Sequence, residues 1–476
     1  MPPQTHLLSL PNELLLLIAS YLSPTSPSTL TFAHEPSPNL TSSPSAPLKA
    51  LSLVSHRLRS LLLPLLFSYA RIPLSPDPQW VPIDARLLES MQGQLTALSA
   101  HELHIYTRMR SKFKSTAGGF AFEESFDDLL INLCRVREED SFLKAVPNIL
   151  WLPHLPDTFR AFAGFLEGFG LRRHVKSVVV YTDKEYELLH VNTANAPLAR
   201  AVADIWTQVF ALVDPIRLVV AAPPTTMAGL LDTQTLSLDA WAFNMKMHYM
   251  ELRQPEEIER NRIVHVSPTC RMWDSALIHR RPWIHIGYNE GSSIEAYSTY
   301  EYHLKQSPMM LYQLLLRLAK ECQPCCNIRS FSFIGIFPFS TSMTNLIRAL
   351  YRISTLRKVQ IQLAPGPEND IMDSSERMGK AQPRDLWLEW NECYKIVAVL
   401  LGLYDFTDGS EFVSRDSRGT LTAETEEHVE KLVERGVGWR KVESGEWVMD
   451  HAGSTRGDDE RQAKNGEPID GEGVGG

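Results

Sequence analysis

An almost unbroken apolar run near the start of the chain is its strongest local pattern. Between Leu14 and Leu22 only Ser20 is polar. Pro11 suits the first position of a helix, and Glu13 suits the first turn, where the helix dipole favours a carboxylate. The pattern predicts a short helix that starts near Pro11 and is apolar almost all round. One side can pack on its own domain, while the other requires a deep core or a partner.

This run is too short to cross a membrane. Its nine residues make a helix of roughly 14 Å, whereas a bilayer core is about 30 Å thick. A secretory signal peptide starts with positive charges, but residues 1–13 contain no Lys or Arg. We therefore expect an intracellular chain, in the cytoplasm and/or the nucleus, with no membrane partner.

A second apolar segment, residues 48–71, continues the helical pattern. Five of its apolar residues recur at helical spacing, namely Leu51, Val54, Leu58, Leu61 and Leu65. Together the two segments predict three short helices. So small a helical domain buries its leucines poorly and gains stability from a partner surface.

Three groups of residues in these segments match one known pattern. They are Leu10-Pro11-x-Glu13-Leu14 with Ile18 and Leu22, then Leu51-x-x-Val54-Ser55-x-x-Leu58-Arg59, then Leu65-x-Phe67. The pattern resembles an F-box, a family whose three helices dock on the Skp adaptor of cullin–RING ubiquitin ligases. The resemblance covers roughly residues 8–72. It implies an adaptor-binding role for Leu10, Pro11, Leu14, Ile18, Leu22, Leu51, Val54, Leu58, Leu65 and Phe67. The competing interpretation is that these residues form the core of a larger helical domain.

Two features depart from the family pattern. Leu58 stands where the family often has tryptophan. More importantly, residues 23–47 separate the first two helices, and 17 of these 25 residues are Ser, Thr or Pro. Such a composition predicts a disordered insert, whose closure costs the helices only a modest loss of entropy. The insert holds four Ser-Pro steps that are candidate phosphorylation sites, at Ser23, Ser26, Ser37 and Ser43.

The rest of the chain alternates between strand and helix patterns. Short alternating runs predict strands at 175–180, 216–220, 328–333 and 356–361, with weaker copies at 283–286 and 103–105. Helical stretches at 198–213, 309–322 and 343–353 lie between several of them. This order predicts parallel strands joined by crossover helices.

The predicted fold class is α+β or α/β. An N-terminal three-helix F-box is followed by an irregular, leucine-rich-repeat-like array, with a compact α/β domain as the alternative. The predicted domains are 1–75 (F-box), 76–405 (recognition domain), 406–450 (a helix plus a hairpin with Ser444-Gly445 at its turn) and 451–476 (a disordered tail).

Charge and composition limit the possible chemistry. The 476 residues carry a net charge of −9, which argues against nucleic acid as the main partner. A structural zinc site usually has four ligands, but Cys322, Cys325 and Cys326 form the only cysteine cluster in the sequence. The two histidines of His101-Glu102-Leu103-His104 are three residues apart, not the four that a helical zinc site needs. We therefore expect no metal, no cofactor and no catalytic residue.

The expected function is that of a non-catalytic substrate receptor. The N-terminal helices would bind the Skp adaptor, and through it a cullin–RING ligase, while the C-terminal domain would bind a protein target of unknown identity. The main alternative is a protein-interaction scaffold with a vestigial or repurposed F-box. An enzyme whose site forms only in three dimensions is the third possibility.

Overall fold

The computed structural model describes residues 7–22, 25–41, 46–77, 79–80, 149–150, 152–185, 196–233, 247–256, 277–299, 302, 305, 307–321, 326–366, 369–418, 423–434 and 438–450. The chain divides into two compact units. The first comprises residues 1–291 and 304–327, and the second comprises residues 292–303 and 328–476. Both units mix helices and strands, which confirms the coarse fold class.

The helices are α1 (Asn12–Leu22), α2 (Pro27–Thr31), α3 (Ala46–Ser52), α4 (His56–Leu66), α5 (Thr158–Gly168), α6 (Ala196–Leu212), α7 (Pro224–Leu230), α8 (Ile294–Tyr297), α9 (Met310–Glu321), α10 (Ser340–Leu350), α11 (Ser375–Met378), α12 (Pro383–Leu403) and α13 (Ala423–Glu434). The strands are β1 (Tyr69–Pro73), β2 (Gln79–Trp80), β3 (Ile149–Leu150), β4 (Ser177–Tyr181), β5 (Arg217–Ala222), β6 (His248–Arg253), β7 (His285–Ser292), β8 (Ser330–Ile336), β9 (Lys358–Gln362), β10 (Glu411–Ser414), β11 (Trp439–Glu443) and β12 (Glu446–Met449).

The first unit contains strands in the order β1-β4-β5-β6-β7. β4 and β5 are parallel, as the strand–helix alternation predicts. β1 pairs in parallel with β4, although residues 69–71 belong to the segment predicted to be helical. β4 and β5 consist mostly of Val, Leu and Ala and are buried along almost their whole length, which is typical of parallel strands covered on both faces. β6 differs from the prediction because it is antiparallel to both β5 and β7. The predicted repetition of parallel strand–helix units therefore stops at β5 within this unit.

The second unit contains strands in the order β8-β9-β10-β12-β11. β8, β9 and β10 are parallel, and the hairpin of β11 and β12 continues from β10 in antiparallel fashion. The strands predicted at 328–333 and 356–361, the C-terminal helix and the hairpin are all confirmed. The boundary between the units falls inside the segment 76–405, which was predicted to be one recognition domain.

A buried carboxylate ties three parts of the second unit together. Asp416 accepts hydrogen bonds from the backbone N–H groups of Leu363 (2.9 Å) and Ala364 (3.1 Å), which follow β9. It also accepts from Trp390 Nε1 (3.2 Å) and Tyr394 Oη (2.7 Å) on α12. Burial raises the pKa of Asp416, and these hydrogen bonds oppose the rise.

The N-terminal helices share a small core within the first unit. Its buried members are Leu15 and Ala19 on α1, Leu48 on α3, and Leu58 and Leu62 on α4. The side chain of Ser55 caps α4 by accepting a hydrogen bond from Leu58 N (3.2 Å), which satisfies one of the free N–H groups at the helix start. Three short helices are therefore present, as predicted, but the break between the second and the third falls at residues 53–55, and α4 continues through Pro64.

Replacing Leu58 with alanine should lower the free energy of unfolding by roughly 2–5 kcal/mol, because it leaves a cavity in a small core. Only 1% of Leu58 is exposed. Leu53→Ala is the matched control, since Leu53 is 68% exposed and should cost less than about 0.5 kcal/mol. Urea denaturation of both variants measures the difference. Equal losses would contradict the placement of Leu58 in the core.

The insert between the first two helices differs from the disorder predicted for it. Residues 25–41, here called the strap, form α2 and a short 3₁₀ helix at Pro38–Thr41. The strap buries Phe32 and Leu40, and the ring of Phe32 lies 6.0 Å from that of Tyr249 on β6. A side chain at Gly287 on β7 would come within 3.3 Å of Phe32, so a glycine there admits the ring.

Three successive strands hold the strap by polar side chains. Arg217 on β5 donates to the carbonyl of Ser28 (3.1 Å), Tyr249 donates to that of Ser37 (2.8 Å), and Asn289 on β7 donates to those of Phe32 (2.7 Å) and His34 (2.8 Å). Buried side chains of the sheet therefore accept the role that water would have in a disordered insert: they donate hydrogen bonds to the backbone carbonyls of the strap.

The Arg217 anchor is part of a buried ion-pair cluster. Arg217 Nε lies 2.7 Å from Glu251 Oε1, and Arg253 also contacts this carboxylate. Burial by itself would raise the pKa of Glu251, but Arg217 and Arg253 outweigh it and hold the pKa at about 2. Glu251 therefore stays ionised, and the strap attaches where Arg217 is already fixed.

Several predictions fall on residues that the structure does not describe. These are the strand at 103–105, the histidines at 101 and 104, Cys322, Cys325 and the tail 451–476. Among the helices that are described, none combines the length and apolarity needed to cross a bilayer.

Candidate functional site

Most of the apolar surface of α1 faces solvent. The helix buries only Leu15 and Ala19, which lie four residues apart on one side. Its exposed apolar side chains are Leu14, Leu16, Leu17, Ile18, Tyr21 and Leu22, and Tyr21 is 84% exposed. Leu14, Ile18 and Tyr21 follow one another at helical spacing, so they form a stripe along the exposed side.

The turn between α3 and α4 presents two more apolar side chains. Leu53 is 68% exposed and Val54 is 66% exposed. Their backbone N–H groups bond to Ala50 O (3.0 Å) and Leu51 O (3.2 Å), and Ser55 caps the following helix. The turn is therefore fixed by hydrogen bonds while its side chains remain outside. We call Leu14, Leu17, Ile18, Tyr21, Leu22, Leu53 and Val54 the N-terminal apolar set.

Arg57 fixes the backbone that leads into α1. Its guanidinium donates to the carbonyls of Leu8 and Leu10 (2.8 Å for Leu10) and to Asn12 Oδ1 (2.7 Å). The Arg57 side chain thus fixes the segment that leads into α1 against α4. The orientation of the exposed stripe is set by both this contact and the small core.

The ten residues predicted to bind an adaptor divide into two groups. Pro11, Leu14, Ile18, Leu22 and Val54 are exposed and available to a partner. The others are inside or at the edge of the fold: Leu58 is buried, Leu10, Leu51 and Leu65 pack against the small core, and Phe67 contacts Phe162 and Phe165 on α5. The F-box pattern does not include the exposed Leu17, Tyr21 and Leu53, although Leu17 and Tyr21 belong to the apolar run.

Exposed apolar residues are concentrated in this part of the chain. Eleven of the eighteen large apolar side chains exposed among the described residues lie between Leu7 and Val54. Scattered exposed apolar residues are normal, whereas a concentration of them marks an interaction surface. What the arrangement can do chemically is bury apolar area against a partner.

A second cluster, on β6 and β7, is buried and polar. His248 Nδ1 lies 2.6 Å from Tyr288 Oη, and Glu290 lies two residues further along β7. Burial lowers the pKa of His248 to about 3 and raises that of Glu290 to about 8. Tyr288 also has a raised pKa, from burial and from the nearby Glu290 carboxylate. All three groups are therefore predominantly neutral at pH 7, as buried groups without opposite charges tend to be.

Replacing Glu290 with glutamine should change how stability depends on pH. The folded pKa of about 8 lies above the usual value of about 4.3 for an unfolded chain, so the folded state binds the proton more tightly. The contribution of Glu290 to the free energy of unfolding should therefore fall as pH rises from about 4.5 to 8, whereas glutamine cannot ionise. From pH 5 to pH 8 the variant should gain roughly 2–5 kcal/mol relative to wild type.

Urea denaturation at pH 5, 6.5 and 8 measures this difference. Glu295→Gln is the matched control, because Glu295 lies five residues away and is exposed. As a surface substitution, it should stay within about 0.5 kcal/mol of wild type at each pH. Parallel pH profiles for Glu290→Gln and wild type would show that Glu290 is not held protonated by burial.

Comparisons with known proteins add no family assignment. No protein-family model matches the chain, and a search of the curated proteins finds no match either. Among the described residues, no group of three or more His, Cys, Asp or Glu side chains is placed to hold a metal ion. The N-terminal apolar set is therefore the candidate site, on the basis of its own exposure and geometry.

Proposed function

We propose that the chain is the substrate-receptor subunit of a Skp–cullin–F-box ubiquitin ligase. Its N-terminal helices bind the Skp adaptor, and its strand–helix region, leucine-rich-repeat-like in the sequence, binds a protein target. The proposal rests on the packing of α1. This helix packs on its own domain through Leu15 and Ala19 and exposes a stripe of Leu14, Ile18 and Tyr21.

The energetics of such a helix favour a protein partner. Burying one leucine or isoleucine side chain contributes about 1.5–3 kcal/mol, and a helix offers several at fixed spacing to an apolar groove. Val54, fixed in the turn before α4, adds an apolar contact from a second element. The F-box resemblance names the Skp adaptor as the partner that covers these residues.

The chain itself carries out no bond chemistry in this proposal. It holds a target close to a ubiquitin-loaded enzyme elsewhere in the assembly, so that transfer becomes effectively intramolecular. Intracellular placement, in the cytoplasm and/or the nucleus, belongs to the same proposal.

A protein-interaction scaffold is the second candidate, and the strap is the observation that favours it. The F-box family usually joins its first two helices by a few residues, whereas here the strap is anchored to Arg217, Tyr249 and Asn289. Helices tied to the sheet in this way would also suit a module that serves a purpose outside the ligase.

Stepwise assembly separates the two candidates. Purified full-length chain, Skp adaptor, cullin and RING subunit are mixed and resolved by size-exclusion chromatography, with a mixture that lacks the adaptor as the control. A substrate receptor should elute with all three other subunits in one stoichiometric complex, and only when the adaptor is present. A scaffold should bind the adaptor without the cullin, or bind neither.

A further inference from the structure

Ser-Pro steps recur along the chain, and those in the described residues differ in burial and in the hydrogen bonds of the serine. The sequence has seven, at Ser23, Ser26, Ser37, Ser43, Ser75, Ser267 and Ser307. Only those at Ser26, Ser37, Ser75 and Ser307 lie in the described residues. A proline-directed kinase needs the serine hydroxyl free of other partners and the segment accessible, and these four differ in both respects.

Three of the four are occupied or buried. Ser75 is 3% exposed, and its hydroxyl donates to Asp77 Oδ2 (3.2 Å). Ser307 is also buried. Ser26 Oγ lies 2.8 Å from Ser28 Oγ, which in turn accepts a hydrogen bond from the buried guanidinium of Arg217. A phosphate on any of them would have to displace existing packing or hydrogen bonds.

Ser37 is different, because its main chain is hydrogen-bonded to the sheet while its hydroxyl makes no hydrogen bond within the described part of the chain. The residue is half-buried, and Oγ makes no hydrogen bond to any described residue. Its N–H donates to Tyr249 Oη (2.5 Å), and Tyr249 Oη donates back to its carbonyl (2.8 Å). Tyr249 is itself 1% exposed. One buried hydroxyl therefore clamps the backbone at the Ser-Pro step.

We propose that Ser37 is a phosphorylation site for a proline-directed kinase, and that its modification releases the strap from β6 and β7. The kinase transfers the γ-phosphoryl group of MgATP to Ser37 Oγ. A new O–P bond forms, the bond between the γ-phosphorus and the bridging oxygen breaks, the serine proton leaves to the kinase base, and ADP departs. The inference goes beyond the proposed function and stands whether or not the chain binds an adaptor.

The added charge opposes closure of the strap. A phosphoserine carries a charge of about −2 at neutral pH and needs solvent or cations around it. In the closed strap it would lie beside the buried Tyr249 hydroxyl and two residues from Glu35. Because Ser37 is half-buried in the closed strap, closure would remove part of the solvent around this charge, so the modified strap should remain open.

The clamp also controls access by the kinase. Because both main-chain groups of Ser37 are bound to Tyr249, the segment becomes available only when the strap opens locally. When opening is fast relative to modification, the rate follows the population of the open form. Removing the Tyr249 hydroxyl while keeping the ring should raise that population by about tenfold, the typical effect of one or two lost hydrogen bonds.

The test treats the full-length chain with a purified cyclin-dependent kinase and MgATP and follows each site by mass spectrometry. Ser37 should be modified, at a rate about tenfold higher in Tyr249→Phe. Tyr351→Phe is the matched control, since Tyr351 is 55% exposed, and it should leave the rate unchanged. An unmodified Ser37 in both wild type and Tyr249→Phe would overturn the proposal, as would equal rates in the two proteins.

Hydrogen exchange on the phosphorylated wild type tests release without any substitution. Amides of residues 25–41 should exchange at least tenfold faster after modification, while those of β9 should not change. Ser37→Ala treated in the same way should keep the slow exchange. Stoichiometric phosphate on Ser37 with an unchanged exchange rate in the strap would overturn the release step.

Discussion

Replacing Leu14, Ile18 and Val54 together by alanine is expected to abolish capture of the chain by a Skp adaptor without unfolding it. All three side chains are exposed in the free chain, so their truncation should change the free energy of unfolding by less than about 0.5 kcal/mol each. In a complex they would be central apolar contacts, for which truncation typically costs about 2 kcal/mol or more each. The combined loss should weaken binding by about a thousandfold or more.

Co-purification on immobilised adaptor, with thermal unfolding measured in parallel, checks this expectation. The matched control is Leu388→Ala/Val399→Ala/Leu403→Ala on α12, which removes three similarly exposed apolar side chains. The control should be captured as well as wild type. Undiminished capture of the first triple variant would show that the N-terminal apolar set does not bind the adaptor.

Asp416→Ala should strongly destabilise the second unit. The substitution leaves the N–H groups of Leu363, Ala364 and Trp390 buried without their acceptor, and it removes one partner of Tyr394. Each buried donor left without an acceptor costs about 1–3 kcal/mol, so the free energy of unfolding should fall by roughly 3 kcal/mol or more.

Asp405→Ala is the control for this variant, because Asp405 is an exposed carboxylate in the same unit. Urea denaturation followed by tryptophan fluorescence compares the two, since Trp390 contacts Asp416 directly. Asp416→Ala should unfold at a clearly lower urea concentration, while the control should match wild type within about 0.5 kcal/mol. Similar midpoints would mean that the Asp416 network contributes little to the unit.

Local pattern predicted most of the regular elements. The nine-residue apolar run became α1, and the alternating runs at 175–180, 216–220, 328–333 and 356–361 became strands β4, β5, β8 and β9. These elements depend on side-chain periodicity within a few residues, which is visible in the sequence itself. The exposed positions of α1 also follow from the run, because a helix that is apolar all round cannot bury every side in so small a domain.

The strap and β6 could not be predicted in the same way. The strap is stabilised by partners more than 180 residues away in the chain, such as Arg217 for Ser28 and Tyr249 for Ser37. Its Ser, Thr and Pro content describes its average solubility but does not reveal which side chains are buried, such as Phe32 and Leu40. β6 mixes His248, Glu251 and Arg253 with apolar residues, and the buried charge of Glu251 is compensated by Arg217 on β5 as well as by Arg253.

The strap also changes how a deletion should be interpreted. Removing residues 24–47 would expose Tyr249 and Asn289 and take away the Ser28 groups that Arg217 binds, instead of only shortening a loop. Loss of adaptor capture in such a deletion would therefore reflect damage to the first unit. Substitutions at the exposed positions of α1 are the cleaner probe.

A calorimetric titration of the purified full-length chain with purified Skp adaptor tests the central proposal most directly. We predict saturable binding at a ratio of one to one, with a negative heat-capacity change that reflects burial of the N-terminal apolar set. A chain that unfolds cooperatively on heating, and is therefore folded, yet shows no binding at adaptor concentrations far above the micromolar range would contradict the proposal.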